Sequence, residues 1–145
     1  MTAYADTGFL CSLYAPDAHT GRVVVRMQRQ ALPLPLTWLH QLEFRNALRL
    51  RVFRGEITPP QRDASLNALL ADVAAGVLAA AAPPLAETLT EAERLSALHT
   101  ETTGTRSLDV LHVSSALVLG LAEFLTLDHR QLALAKAAGL KVPAL

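Results

Sequence analysis

One cysteine, Cys11, is all the thiol this chain has, so no internal disulfide can staple it. It sits among Phe9, Leu10 and Leu13 and reads as core, which leads us to expect a reducing, cytoplasmic setting. Lysine is nearly as scarce, with Lys136 and Lys141 set against eleven arginines. Thirteen basic and thirteen acidic residues give a formal net charge of zero, so no global positive field draws in nucleic acid or an anionic membrane. The opening Met-Thr-Ala-Tyr-Ala-Asp has neither the basic nor the apolar region of a signal peptide, and export is not expected. The longest apolar run, Val73 to Ala86, is too short for a membrane span and contains Pro83-Pro84. Internal repeats, low-complexity tracts and Gly-rich phosphate loops of the G-x-x-x-x-G-K or G-x-G-x-x-G kind are also missing, which excludes nucleotide binding by those routes.

What is present is apolar material: 145 residues, 51% hydrophobic, enough for the core of one domain spanning 1–145. Short apolar runs at 2–5, at the end of 32–37, at 77–82, at 122–126 and at 140–142 read as strands. Between them lie helical patterns: Phe9 to Tyr14, Asp17 to Ala31, Trp38 to Arg54, Thr58 to about Ala75, Glu87 to Thr103, Ser107 to Leu119 and Gln131 to Ala138. The helix from Glu87 takes Leu89, Ala92, Leu95, Ala97 and Leu98 as its apolar set. Strands alternating with helices imply βαβ units, hence an α/β fold with a parallel sheet covered on both faces in three layers.

The chain is organised around Thr105 to Leu119, a helix predicted to start with Ser107 as N-cap and apolar on nearly every side. Asp109 lies in its first turn, where backbone N–H groups and the macrodipole favour a carboxylate but burial makes an unpaired charge costly. A hydrogen-bonded structural role, or a pair with Arg106, is one reading of it. Asp6 and Asp128 follow the predicted first and fourth strands, at the rim where open parallel sheets bind ligands. Glu43 joins them by helical spacing, sharing a face with Leu39, Asn46, Ala47 and Leu50. Each acid also has a plain structural reading: Asp6 as a cap after Thr7, Asp128 as an N-cap with Gln131 completing a capping box, Glu43 as a partner of Arg106 or Arg130. Together these readings weaken, because two carboxylates ~4 Å apart repel by ~4 kcal/mol at an effective dielectric near 20. Four converging acids need a cation, and oxygen ligation without Cys or paired His selects Mg²⁺ or Mn²⁺ over zinc. His40, His112 and His129 are too scattered to argue otherwise.

Four segments carry a resemblance: Tyr4-Ala-Asp6-Thr7-Gly-Phe-Leu, Leu42-Glu43-Phe-Arg-Asn46-Ala-Leu, Ser107-Leu-Asp109-Val-Leu-His112-Val-Ser-Ser-Ala-Leu and Phe124-Leu-Thr126-Leu-Asp128-His-Arg130. In this order they resemble the PIN-domain ribonucleases, in particular the VapC-type toxins of toxin–antitoxin pairs. The resemblance implies a parallel sheet of about five strands, an acidic pocket for one or two Mg²⁺ or Mn²⁺, hydrolysis of RNA phosphodiesters, homodimers and inhibition by a small antitoxin. It makes Asp6 and Asp109 the principal metal ligands, with Glu43 and Asp128 completing the pocket and Thr7 and Thr126 as accessory hydroxyls. Arg45, Arg49, Arg106 and Arg130 are candidates for phosphate contacts, with solvated helix faces or structural pairs as their alternative. Single-stranded or looped RNA is the expected substrate. The neutral charge departs from what an RNA-binding protein leads one to expect. Two other classes stay open: a metal-dependent phosphatase or DNase with a similar pocket, and a non-catalytic PIN-like interaction module.

Overall fold

A computed structural model describes all 145 residues. The chain divides into two compact units, one formed by Met1–Asp6 with Ala82–Ala144 and one by Thr7–Ala81. No helix is long and apolar enough to cross a membrane.

The first unit is built on two parallel strands, β1 (Ala3–Ala5) and β4 (Glu123–Leu125), paired Ala3 to Glu123 and Ala5 to Leu125. Parallel neighbours require a crossover, and the elements between them here include α5 (Leu85–Leu95), α6 (Glu101–Thr103) and α7 (Ser107–Val118); α8 (His129–Ala137) follows β4. The core joins Tyr4 and Phe124 to Leu95 of α5, Val110, Val113 and Ala116 of α7, and Leu134 and Ala135 of α8. The rings of Tyr4 and Phe124 stack at 5.6 Å, and the Tyr4 hydroxyl meets Nδ1 of buried His112 at 2.8 Å. Buried polar groups stay buried only when partnered. Tyr4→Phe takes that partner from His112, and the expected loss is about 1–3 kcal/mol of stability, read by urea unfolding; an unchanged midpoint would show the bond contributes nothing net.

Several expectations need correcting here. The five-stranded sheet is not formed. β1 and β4 make one two-stranded sheet, and β2 (Leu34–Leu36) and β3 (Leu78–Ala80) make another. The predicted strand at 140–142 shrinks to a single parallel bridge between Lys141 and Glu123, because Pro143 has no N–H to carry the ladder on. Ser107 is the first residue of α7 rather than its N-cap, a position held by Arg106 with no side-chain cap. α7 is less uniformly buried than its composition implies: Leu108 is exposed, while polar His112, Ser114 and Ser115 lie inside. The predicted helix from Glu87 to Thr103 begins at Leu85 and is interrupted by a π-turn at Ser96–Thr100, and Leu89 and Leu98 of its apolar set stay exposed while Leu95 is buried. It stops at Gly104, whose φ of +67° is one that L side chains rarely adopt.

In the second unit β2 and β3 pair in parallel, Leu34 to Leu78 and Leu36 to Ala80. α1 (Thr7–Tyr14) packs against α2 (Thr20–Gln28), α3 (Trp38–Phe53) and α4 (Pro59–Ala74), and α3 and α4 form the expected hairpin. Both hairpin helices start with complete capping boxes, Thr37 with His40 and Thr58 with Gln61, the second followed by Pro59 at the first helical position. α2 is shorter than predicted, because the Asp17 carboxylate is taken by the Ser12 hydroxyl and the His19 N–H and so turns the preceding loop rather than capping the helix.

Candidate functional site

The β1–β4 register sets Asp6 and Thr126 side by side, one residue beyond the paired Ala5 and Leu125. The Asp6 N–H still donates to the Leu125 carbonyl at 3.0 Å, so the carboxyl ends of both strands are locked where the first acid begins. Asp6 is 5% exposed, and its Oδ2 accepts the Thr126 hydroxyl at 2.6 Å. Thr126 Oγ1 in turn accepts the Asp128 N–H at 3.0 Å. Asp128 is the N-cap of α8, accepting the Gln131 N–H at 2.8 Å, as its structural reading anticipated. Its capping box is incomplete, because the Gln131 side chain points inward instead.

Asp109 occupies the first turn of α7 and is half-buried. Burial pushes its carboxyl above the ordinary carboxylate range, and the Asp128 charge pushes it further. His112, the backbone N–H of Arg106 and the Arg106 guanidinium pull the other way without outweighing them. Two carboxylates that raise one another's proton affinity are a place where positive charge is wanted. Asp128→Asn should keep the α8 cap, since Asn caps as well as Asp, while letting the Asp109 pKa fall back toward its ordinary value. Carboxyl-carbon NMR titration reads this directly, and an Asp109 midpoint unmoved by the substitution would show burial alone to be responsible.

In the second unit the Thr7 hydroxyl donates to Glu43 Oε1 at 2.9 Å. Glu43 is half-buried, as its spacing suggested, yet the stripe it was assigned to is rotated: Leu39, His40, Phe44 and Leu48 are the buried residues of α3, while Asn46 and Leu50 face solvent. The reason is visible in the sequence, where Trp38, Leu42, Leu50 and Phe53 place apolar side chains on the solvent face too, leaving no single apolar stripe. Among the arginines, Arg49, Arg106 and Arg130 are exposed, whereas Arg45 is held by the carbonyl and side chain of Gln41. Nowhere in the structure are three or more His, Cys, Asp or Glu side chains grouped so that they could hold a metal ion.

The acids thus stand at strand ends and a helix start of a parallel α/β framework, and solved structures share that framework. VapC20 of Mycobacterium tuberculosis, described as a sarcin–ricin loop cleaving toxin, superposes with a TM-score of 0.71 over 97% of each chain at 16% identity. The chain has the fold of the PIN-domain VapC toxins. VapBC2 of Rickettsia felis, solved bound to a DNA fragment from its promoter, matches 99% of this chain and 98% of its own at a TM-score of 0.65 and 12% identity. FitAcB of Neisseria gonorrhoeae matches 97% and 96% at the same TM-score and 16% identity. No protein-family model and no curated protein sequence matches the chain. A shared fold at such low identity carries no activity by itself, so function rests on the site.

Two features of this VapC-like fold escaped the sequence reading. Gln131 is 1% exposed and reaches both Thr126 and the backbone of Asp109. His112 is a buried partner of Tyr4. The available signal was the same for both: a polar side chain one turn or less from a candidate acid, in a helix otherwise rich in Leu, Val and Ala.

Proposed function

We propose that this chain is a metal-dependent endoribonuclease of the toxin–antitoxin kind, with Asp6, Asp109 and Asp128 as the acids that hold Mg²⁺ or Mn²⁺. The observation that carries the reading is the upward push on Asp109 from burial and from Asp128, on a fold shared with VapC toxins. The donor set suits a hard cation, being carboxylate oxygens with the Thr126 hydroxyl beside them. When bound, the ion would make water a better nucleophile and neutralise charge on the phosphate. The chain's own share is orientation: Thr126 fixes one oxygen of Asp6, the α8 cap fixes Asp128, and the first turn of α7 fixes Asp109. Exposed Arg106 and Arg130, each within three residues of an acid, are the phosphate contacts we favour, with Arg49 and Arg45 on α3 as further candidates. Glu43 and Thr7 take their proposed roles, fourth ligand and accessory hydroxyl, from the resemblance alone.

A second reading has one observation in its favour. The acids are not gathered into a three-ligand set, and two of them have structural uses, Asp128 as a cap and Asp6 as acceptor of Thr126. That pattern also suits a non-catalytic module. Cleavage of structured and single-stranded RNA by the purified chain, with and without Mn²⁺ and with DNA and phosphate monoesters as controls, separates the readings. Mn²⁺-dependent RNA cleavage supports ours; cleavage of DNA or monoesters only, or no Mn²⁺ binding at millimolar concentration, sinks it.

The proposed partners are RNA, a cognate antitoxin and a second copy of the chain. Trp38, Leu42, Leu50, Phe53 and Leu70 of the α3–α4 hairpin are exposed, Phe53 at 87%, more apolar surface than a monomer needs. Light scattering should therefore report a dimer of the 15.6 kDa chain at high micromolar concentration, and a monomer would refute this part.

A further inference from the structure

Thr126 has one hydroxyl proton and two acceptors within reach. Asp6 Oδ2 lies at 2.6 Å and Gln131 Oε1 at 3.2 Å. The orientation of the Gln131 amide is settled by its other end, because Nε2 faces the Asp109 carbonyl at 3.3 Å and a carbonyl only accepts. Oε1 therefore faces Thr126 as a true acceptor. A carboxylate outcompetes an amide oxygen for a proton, so the hydroxyl rests on Asp6 while Asp6 carries uncompensated charge. The same residue gives its backbone N–H to Asp128 at 2.8 Å, so Gln131 touches something next to each of the three aspartates of the first unit.

Resting on the nuclease reading above, we propose that Gln131 is a positioning residue that takes over the Thr126 hydroxyl when a cation occupies Asp6 Oδ2, and meanwhile ties the first turn of α7 to α8. The exchange needs only a rotation about one C–O bond. Without the second acceptor, the Thr126 proton either stays on Asp6, competing with the cation, or is left buried with nothing to bind, since Thr126 is itself buried. Gln131 thereby makes cation uptake by Asp6 easier without touching cation, water or RNA.

The test uses Gln131→Leu, Thr126→Val and the double variant in the full chain. Mn²⁺ affinity, measured by calorimetry, should weaken about tenfold in Gln131→Leu, the lower end of the range for residues that support metal ligands. In the Thr126→Val background the same substitution should have little effect, because no hydroxyl remains to be relocated. The kcat for RNA cleavage should fall at low Mn²⁺ and recover at saturating Mn²⁺, with KM for RNA unchanged, a recovery that a merely misfolded variant would not show. Melting of the metal-free proteins gives an independent readout: Gln131→Leu should lower Tm less in the Thr126→Val background than in the wild type. Equal Tm losses in both backgrounds, or equal losses of Mn²⁺ affinity in both, overturn the proposal. A wild type that shows the Tm coupling but neither binds Mn²⁺ nor cleaves RNA overturns both the nuclease reading and the hydroxyl exchange; a wild type that does both while Gln131→Leu matches it overturns the exchange alone.

Discussion

Asp109→Asn is expected to reduce RNA cleavage by at least about 10²–10³-fold, the scale for losing one preorganised electrostatic group, while leaving the metal-free protein as stable as the wild type or more so at neutral pH. The second half follows from the direction of the pKa shift. Burial and Asp128 raise the folded-state pKa of Asp109, so the folded chain binds that proton more tightly than the unfolded chain. The group therefore favours folding at acidic pH, and that contribution is lost as pH rises through the folded pKa. At neutral pH its charge works against the fold. Asparagine removes the charge yet keeps an oxygen able to accept the Arg106 N–H at the head of α7. Thermal melting at pH 7 and pH 4 checks this: the substitution should hold or raise Tm at pH 7 and give no gain at pH 4. A large loss of Tm at pH 7 would make Asp109 a structural acid, and retained cleavage would remove it from the site.

The local features of this chain were legible where one physical rule acts alone. Thr58-Pro59-Pro60 announced a helix start and Gly104 a helix stop, and both stand as read. Asp6 and Thr126 were placed at strand ends by the abrupt change from apolar run to acid or hydroxyl, and the parallel register then made them neighbours. What failed depended on competition between rules. Ser107 is a better cap than Arg106 by propensity, but Asp109 two residues further on can answer the Arg106 N–H from inside the helix, so the helix begins one residue later than its best cap suggests. Leu50 looked like core because it is leucine at the right spacing, yet Phe44 and Leu48 hold the buried face and turn Leu50 outward. The last strand lost its ladder to Pro143. Gln131 was read only as a capping partner, since a sequence says which residue can cap but not that another group will claim its side chain.

Saturating Mn²⁺ should raise the melting temperature of the wild type by roughly 5–10 °C, and this gain should vanish in both Asp6→Asn and Asp109→Asn. The size follows from linkage: a ligand that binds only the folded state at about 100 times its Kd adds about 2.7 kcal/mol. For a domain of this size each kcal/mol is worth roughly 2–4 °C. The gain has a pH signature as well. A cation binds the carboxylate, not the acid, so protons compete for the site. Because Asp109 holds its proton more tightly than an ordinary aspartate, the competition begins at a higher pH than for an unperturbed carboxyl, and the Mn²⁺ gain should fade on acidification well before the chain unfolds. NaCl at matched ionic strength is the control, because screening would relieve the Asp109–Asp128 repulsion without occupying the site. If NaCl reproduces the gain, or if Asp6→Asn keeps it, the acids form no cation site and the non-catalytic reading takes precedence.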